Sequence, residues 1–149
     1  MKKLVFATNN KHKIEEVAPL IQSHFQLLSL AEINCFEEIE EPHDTLIDNA
    51  FEKARFVFNR YQFNCFADDT GLEVDSLNGQ PGVYSARFAG EQRNADDNMN
   101  KLLIELTDQS NRNAHFKTVI ALNFKGKQYL FTGIASGEII LEKMVFPEP

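Results

Sequence analysis

Tryptophan is absent from this chain of 149 residues, and cysteine occurs only at Cys35 and Cys65. Two cysteines without a CxxC or Cys/His pattern exclude a disulfide framework and a zinc site, and read as buried free thiols of a reducing compartment. No apolar run is long enough to span a bilayer, and the N-terminus lacks a signal-peptide core, so the expected location is the cytoplasm with no membrane partner. Positive charge is also short: 15 Lys and Arg stand against 22 Asp and Glu, for a net charge of −7. That balance argues against a nucleic-acid groove, and an anionic substrate would need cations gathered locally, from lysine or metal. Repeats, linkers and low-complexity segments are missing as well. What remains is an ordinary mix, 43% hydrophobic and 25% charged, in which thirteen Phe supply most of the aromatic packing. Its length suits one domain with a real core.

The chemistry concentrates in Phe66-Ala67-Asp68-Asp69-Thr70-Gly71-Leu72-Glu73-Val74-Asp75. Asn64 to Ala67 reads as a short buried strand, followed by two carboxylates and a Thr-Gly turn signal. Side chains alternate along a strand, so Asp68 and Asp69 point opposite ways unless the chain bends, and Gly71 permits a bend. Two acids at a strand end, beside a hydroxyl, suit a divalent cation near phosphate; a solvated acidic turn is the plainer reading of these ten residues alone.

Upstream, Lys3 to Ala7 is an apolar first strand ending in the polar loop Thr8-Asn9-Asn10-Lys11-His12-Lys13. Ile14, Val17, Ala18, Ile21 and Phe25 then recur at helical spacing, with Asn10 as N-cap and Pro19 expected to kink or split the helix. A helix N-terminus after a strand offers N–H groups and a positive dipole end to an anion, although no GxxxxGK[ST] loop is present. Gln26 to Leu30 is a second strand. Glu37 to Asp44 concentrates acid in a loop, and His43 in it reads as a surface residue. Thr45 caps the next helix, with Asp48 completing a capping-box-like pair, and Leu46, Ile47, Ala50, Phe51, Ala54, Val57, Phe58 and Tyr61 form its apolar stripe. Asn49 and Lys53 fall on the opposite side, either exposed or facing the acids. Further strands are expected at Leu72–Leu77, His115–Phe124, Gln128–Ala135 and Gly137–Glu142, with a hairpin at Lys125-Gly126-Lys127 and a helix from Asn94 to Leu106. Helices among parallel and hairpin strands predict an α/β fold with a mixed sheet.

Four segments occur in one order: Ala7-Thr8-Asn9-Asn10-x-x-Lys13; Glu41-x3-Thr45-x3-Asn49-Ala50-x2-Lys53-Ala54; Ala67-Asp68-Asp69-Thr70-Gly71-Leu72-x-Val74-Asp75; and Pro81-Gly82-Val83-Tyr84-Ser85-Ala86-Arg87-Phe88-Ala89-Gly90. Together they resemble the inosine triphosphate pyrophosphatase (Ham1-like) family over nearly the whole chain. The resemblance implies a central mixed β-sheet flanked by helices, with a cleft between two lobes, in a single domain that assembles as a homodimer. It also implies Mg²⁺-dependent hydrolysis of ITP, dITP and XTP to monophosphate and pyrophosphate, clearing deaminated purines from the nucleotide pool. On that likeness Thr8, Asn10 and Lys13 hold the triphosphate, with Asn9 where the family more often has glycine. Glu41 and Asp69 sit at the metal, and Asp69 doubles as the base that activates water. Lys53 organises the acids and phosphates, Thr70 replaces the usual serine toward the substrate, and Asp68 (among the catalytic acids) and Arg87 (toward the substrate) match motif positions.

One departure stands out. In the family the strand at Gly137-Glu138-Ile139-Ile140 is followed by a glycine-rich loop, a Phe-Gly-Tyr-Asp-Pro motif, a lysine and a Ser-His-Arg motif that hold the purine. Here Val145-Phe146-Pro147-Glu148-Pro149 stands in their place, so the resemblance implies a C-terminally truncated or frameshifted member, or a variant completed by something else. Its alternative is an inactive fragment that binds polyphosphate or a partner chain. A haloacid-dehalogenase-type phosphatase with Asp68 as nucleophile would need Asp-x-Asp, and position 70 is Thr. The related Maf-type enzymes start with Ser-x-Arg-Arg after the first strand, which this chain lacks.

Overall fold

The N-terminal apolar run forms β1 (Lys2–Phe6) in a computed structural model that describes residues 1–142. The terminal run Val145–Pro149 lies outside the described residues. By internal packing the chain divides into a first unit, Met1–Asp69 with Val119–Thr132, and a second, Thr70–Thr118 with the segment from Gly133 on.

In the first unit β1 pairs in parallel with β2 (Phe25–Leu28) on one side and with β3 (Cys65–Val74) on the other. Helix α1 (Lys11–Ile21) links β1 to β2, and α2 (Leu46–Tyr61) precedes β3. Ile14, Val17 and Ile21 of α1 pack on Leu4, Phe6 and Phe66, and the Phe6 and Phe66 rings stack at 4.3 Å between centroids. Neighbouring Cys65 faces the opposite way, as strand alternation requires, and its Sγ donates to the Ala54 carbonyl of α2 at 3.1 Å. Burial there pushes the Cys65 thiol up to about 12. The two helices therefore cover opposite faces of the sheet.

The full strand order is β2-β1-β3-β5-β6, with β5 (Asn113–Phe124) and β6 (Lys127–Glu138) running through both units. The two residues joining them, Lys125 and Gly126, have φ of 51° and 79°. Two consecutive positive φ values give a turn twisted like its flanking strands, which places glycine there. In the second unit, β4 (Pro81–Gly82) pairs antiparallel with β3, and α3 (Ala95–Glu105) places Leu102 and the following Leu106 against Val74 and Ala114.

Several expectations change. Thr70-Gly71 is not a turn: β3 runs unbroken for 10 residues, because β4 pairs with Leu72 and Glu73 and holds the chain extended. Gly71 serves close approach instead, since a Cβ there would overlap the Gly82 carbonyl. Pro19 does not split α1, which runs through it to Ile21. Phe25 opens β2 and does not continue the helix. The Gly137–Glu142 strand is absent as a separate element; β6 continues through Gly137 to Glu138 and stops. No helix among the described residues is long and apolar enough to cross a membrane.

Candidate active site

In the first unit the chain leaves β1 toward β2 on one side, while β3 lies on the other. The strand order reverses at β1, and in open α/β sheets ligands bind beyond the carboxyl ends of strands at such a point. The Ala7–Asn10 loop follows β1 there. Phe6 is level with Phe66, so Asp68 and Asp69 extend beyond the end of β1 at the same edge.

The loop is held by its own side chains. Thr8 Oγ1 accepts from the Asn10 amide at 3.1 Å, and Asn10 Oδ1 accepts from the His12 and Lys13 amides at 3.0 and 3.3 Å. Asn10 is thus the N-cap expected from sequence, satisfying two of the helix's initial donors. Lys13, one turn in, reaches Asp68 Oδ2 at 2.7 Å. Asp68 shares the α1 face with Phe66, its side chain is 10% exposed, and its Oδ1 is buried with no hydrogen-bond partner among the described residues. A buried carboxylate is tolerable only with a cation alongside, and Lys13 supplies it.

From the other face α2 delivers Lys53, whose side chain is 12% exposed. Its Nζ donates to the Asp68 carbonyl at 2.5 Å and lies 2.9 Å from Glu41 Oε1. The choice left open for Lys53 is settled by these contacts: it faces the acids. Asp69, half-buried, alternates with Asp68 and shares the α2 face with Cys65 and Ala67. A pocket of about 400 Å³ is lined by Ala7, Thr8, Asn9, Glu41 and Lys53, along with the acidic loop that includes Glu37 and Glu38. Two lysines therefore meet one strand end from opposite faces, in a protein whose net charge is −7. Each ammonium is already paired with a carboxylate, so an anionic ligand here would need a bound cation as well.

Asn49 takes the second of its two expected places, toward the acidic loop and not solvent. It is 1% exposed, its Oδ1 accepts from the His43 amide at 2.9 Å, and its Nδ2 donates to the His43 carbonyl at 3.3 Å. The helical stripe assigned it to the polar side, and only the fold shows that the acidic loop covers that side. His43 Nε2 lies 3.7 Å from Glu52 Oε2.

Two further expected residues belong to the second unit. Thr70 Oγ1 is 2.9 Å from Thr118 Oγ1, and the Arg87 guanidinium stands 5.1 Å from the Tyr84 ring centroid. That unit also holds a pair the sequence reading missed: His115 Nε2 lies 2.7 Å from Glu73 Oε1. The two residues are 42 positions apart, and nothing local to either indicates the other.

Among the described residues, no three His, Cys, Asp or Glu side chains gather into a ready-made metal cage. Glu41 of the pocket and the two acids of β3 nevertheless suit a hard cation that takes one or two carboxylates and completes its shell with water and phosphate. Glu41, Asp69 and the partnerless Asp68 Oδ1 are all carboxylate oxygens.

The Ham1 family model matches residues 4–145. The dITP/XTP pyrophosphatase of Flavobacterium johnsoniae is 63% identical over 137 residues, which cover 92% of this chain and 71% of that protein. The solved Ham1 protein of Staphylococcus aureus superposes with a TM-score of 0.88 at 35% identity, covering 96% of this chain and 74% of that one. The HAM1 protein of Coxiella burnetii gives a TM-score of 0.89 at 32% identity, covering 95% and 75%.

Proposed function

Because this chain belongs to the Ham1 family, we propose that it is a hydrolase of noncanonical purine nucleoside triphosphates such as dITP, XTP and ITP, releasing monophosphate and pyrophosphate with Mg²⁺. The observation that carries this reading is the meeting of Lys13, Lys53, Glu41 and the Asp68-Asp69 strand end around the Thr8–Asn10 loop. Phosphoryl transfer leaves little covalent work to protein, so positioned charge supplies most of the catalysis.

Thr8, Asn9, Asn10 and Lys13 receive the triphosphate at the start of α1, where the helix dipole adds to the lysine charge. Lys53 fixes Glu41 and the β3 backbone, and so holds the acids in place before substrate arrives. Glu41 and Asp69 would hold Mg²⁺, which when bound neutralises phosphate charge and acidifies water. Asp69 takes a proton from the attacking water. The water oxygen bonds to phosphorus as the bond of the α–β anhydride breaks, and its electron pair leaves with pyrophosphate. Thr70 and Arg87 are assigned to the substrate on the motif likeness alone. The same likeness supports a homodimer, which sedimentation of the purified chain tests.

The deciding assay follows pyrophosphate from dITP with Mg²⁺, with EDTA, and with Asp69→Asn. Pyrophosphate formed only by the wild type with metal supports the proposal. Orthophosphate as first product, or equal inactivity of wild type and variant while both bind nucleotide, refutes it.

A further inference from the structure

Glu41 lies in a segment without helix or strand, yet it meets Lys53 at 2.9 Å. Among the described residues, no backbone–backbone hydrogen bond ties Phe36 through His43 to the rest of the chain. Side chains hold this loop at four places, one of them the His43 imidazole 3.7 Å from Glu52 Oε2. At the others, Arg60 pairs with Glu37 at 3.0 Å, Lys53 pairs with Glu41, and Asn49 grips the backbone at His43. The Arg60–Glu37 pair is solvent-exposed, with both side chains more than half accessible, and such pairs contribute little order. The Asn49 contact differs in kind, since the amide is buried and both its oxygen and its nitrogen are engaged.

We infer that Asn49 is a positioning residue for Glu41: its buried amide acts as a surrogate sheet partner for His43 and sets the acidic loop so that Glu41 faces Lys53. The chemistry demands an amide. The backbone of one residue presents a donor and an acceptor, and a single side chain matches both only if it carries C=O and NH₂ together. Aspartate would set an oxygen against the His43 carbonyl, and alanine would leave both backbone groups unanswered. Asn49 and Lys53 stand one turn apart on α2, so one helical face supplies both restraints. One fixes the backbone at His43; the other fixes the carboxylate two residues before it.

This inference rests on the reading of Glu41 as a metal-holding residue, and its test separates the two. The Mg²⁺ concentration for half-maximal dITP hydrolysis is measured for wild type, Asn49→Ala, Glu41→Gln and the double variant. Loss of a residue that orients a metal-holding group typically weakens metal affinity ~10–100-fold. Asn49→Ala should therefore raise the half-activating concentration about tenfold with kcat far less affected, and should change it little when Glu41 is already Gln. Equal shifts in both backgrounds, or none in either, overturn the assignment. Amide hydrogen exchange on the wild-type chain serves whether or not Asn49→Ala folds. His43 N–H should be protected well beyond the amides of Glu40 and Glu41, and equal exchange overturns the clamp. A wild type without magnesium dependence sinks the metal reading, and the exchange comparison then decides the clamp alone.

Discussion

Replacing Lys53 by methionine tests the arrangement most directly, because methionine keeps the unbranched stem and removes only the charge. In the structure that ammonium is shared by the Asp68 carbonyl at 2.5 Å and Glu41 Oε1 at 2.9 Å. A hydrogen bond from a charged donor is worth about 1.5–3 kcal/mol. The Glu41 pairing contributes less, because that side chain is 36% exposed and water screens it. Against both losses stands the desolvation of a nearly buried ammonium, which methionine no longer suffers. The net stability cost is therefore about 1–2 kcal/mol, or roughly 2–8 °C in Tm. Catalysis should suffer far more, since removing one preorganised charge at a reacting phosphate costs ~100–1,000-fold in kcat. The assay pairs a thermal melt with pyrophosphate release from dITP under saturating Mg²⁺. Activity within about threefold of wild type, alongside the expected small Tm change, would refute the claim that Lys53 organises the acids. Collapse of the fold would instead show that its stability role had been underestimated.

Other consequences are as concrete. Asp69→Asn should keep the fold and lose at least ~100-fold in kcat, the scale of a general base, as judged by pyrophosphate release and circular dichroism. Gly71→Ala should cost about 1–3 kcal/mol and lower Tm, because the new methyl must push back the Gly82 backbone and not a movable side chain. The Cys65 thiol, raised to about 12 from 9.0 by burial, should resist alkylation at pH 8 until the chain unfolds. The sign of its pH effect follows: between pH 9 and 12 the unfolded chain loses this proton and the folded chain keeps it, so stability falls as pH rises through that window.

Elements that depend on neighbours in sequence were legible. Asn10 and Thr45 cap their helices because a cap needs only a side chain and the amides two or three residues on. The α2 stripe and the α/β class follow from periodicity. The likeness of four motifs to those of a known family led to Thr8, Asn9, Glu41 and Lys53, which line one pocket. Errors arose where a distant strand intervened. Thr-Gly within a polar stretch has the local chemistry of a turn, but pairing with β4 keeps β3 extended through it.

What the sequence determined by itself is the set of groups available: two acids in succession, lysines at helical positions, and a polar loop at a helix start. Propensity and periodicity act over a few residues and suffice to place these on elements. Which groups meet was decided by tertiary structure alone. Lys13 and Asp68 are 55 positions apart, and the distance closes because α1 lies over the face of the sheet that Asp68 shares with Phe66. Asn49 is buried for a similar reason: the acidic loop folds back over the polar side of its helix, and no pattern within the helix records that cover.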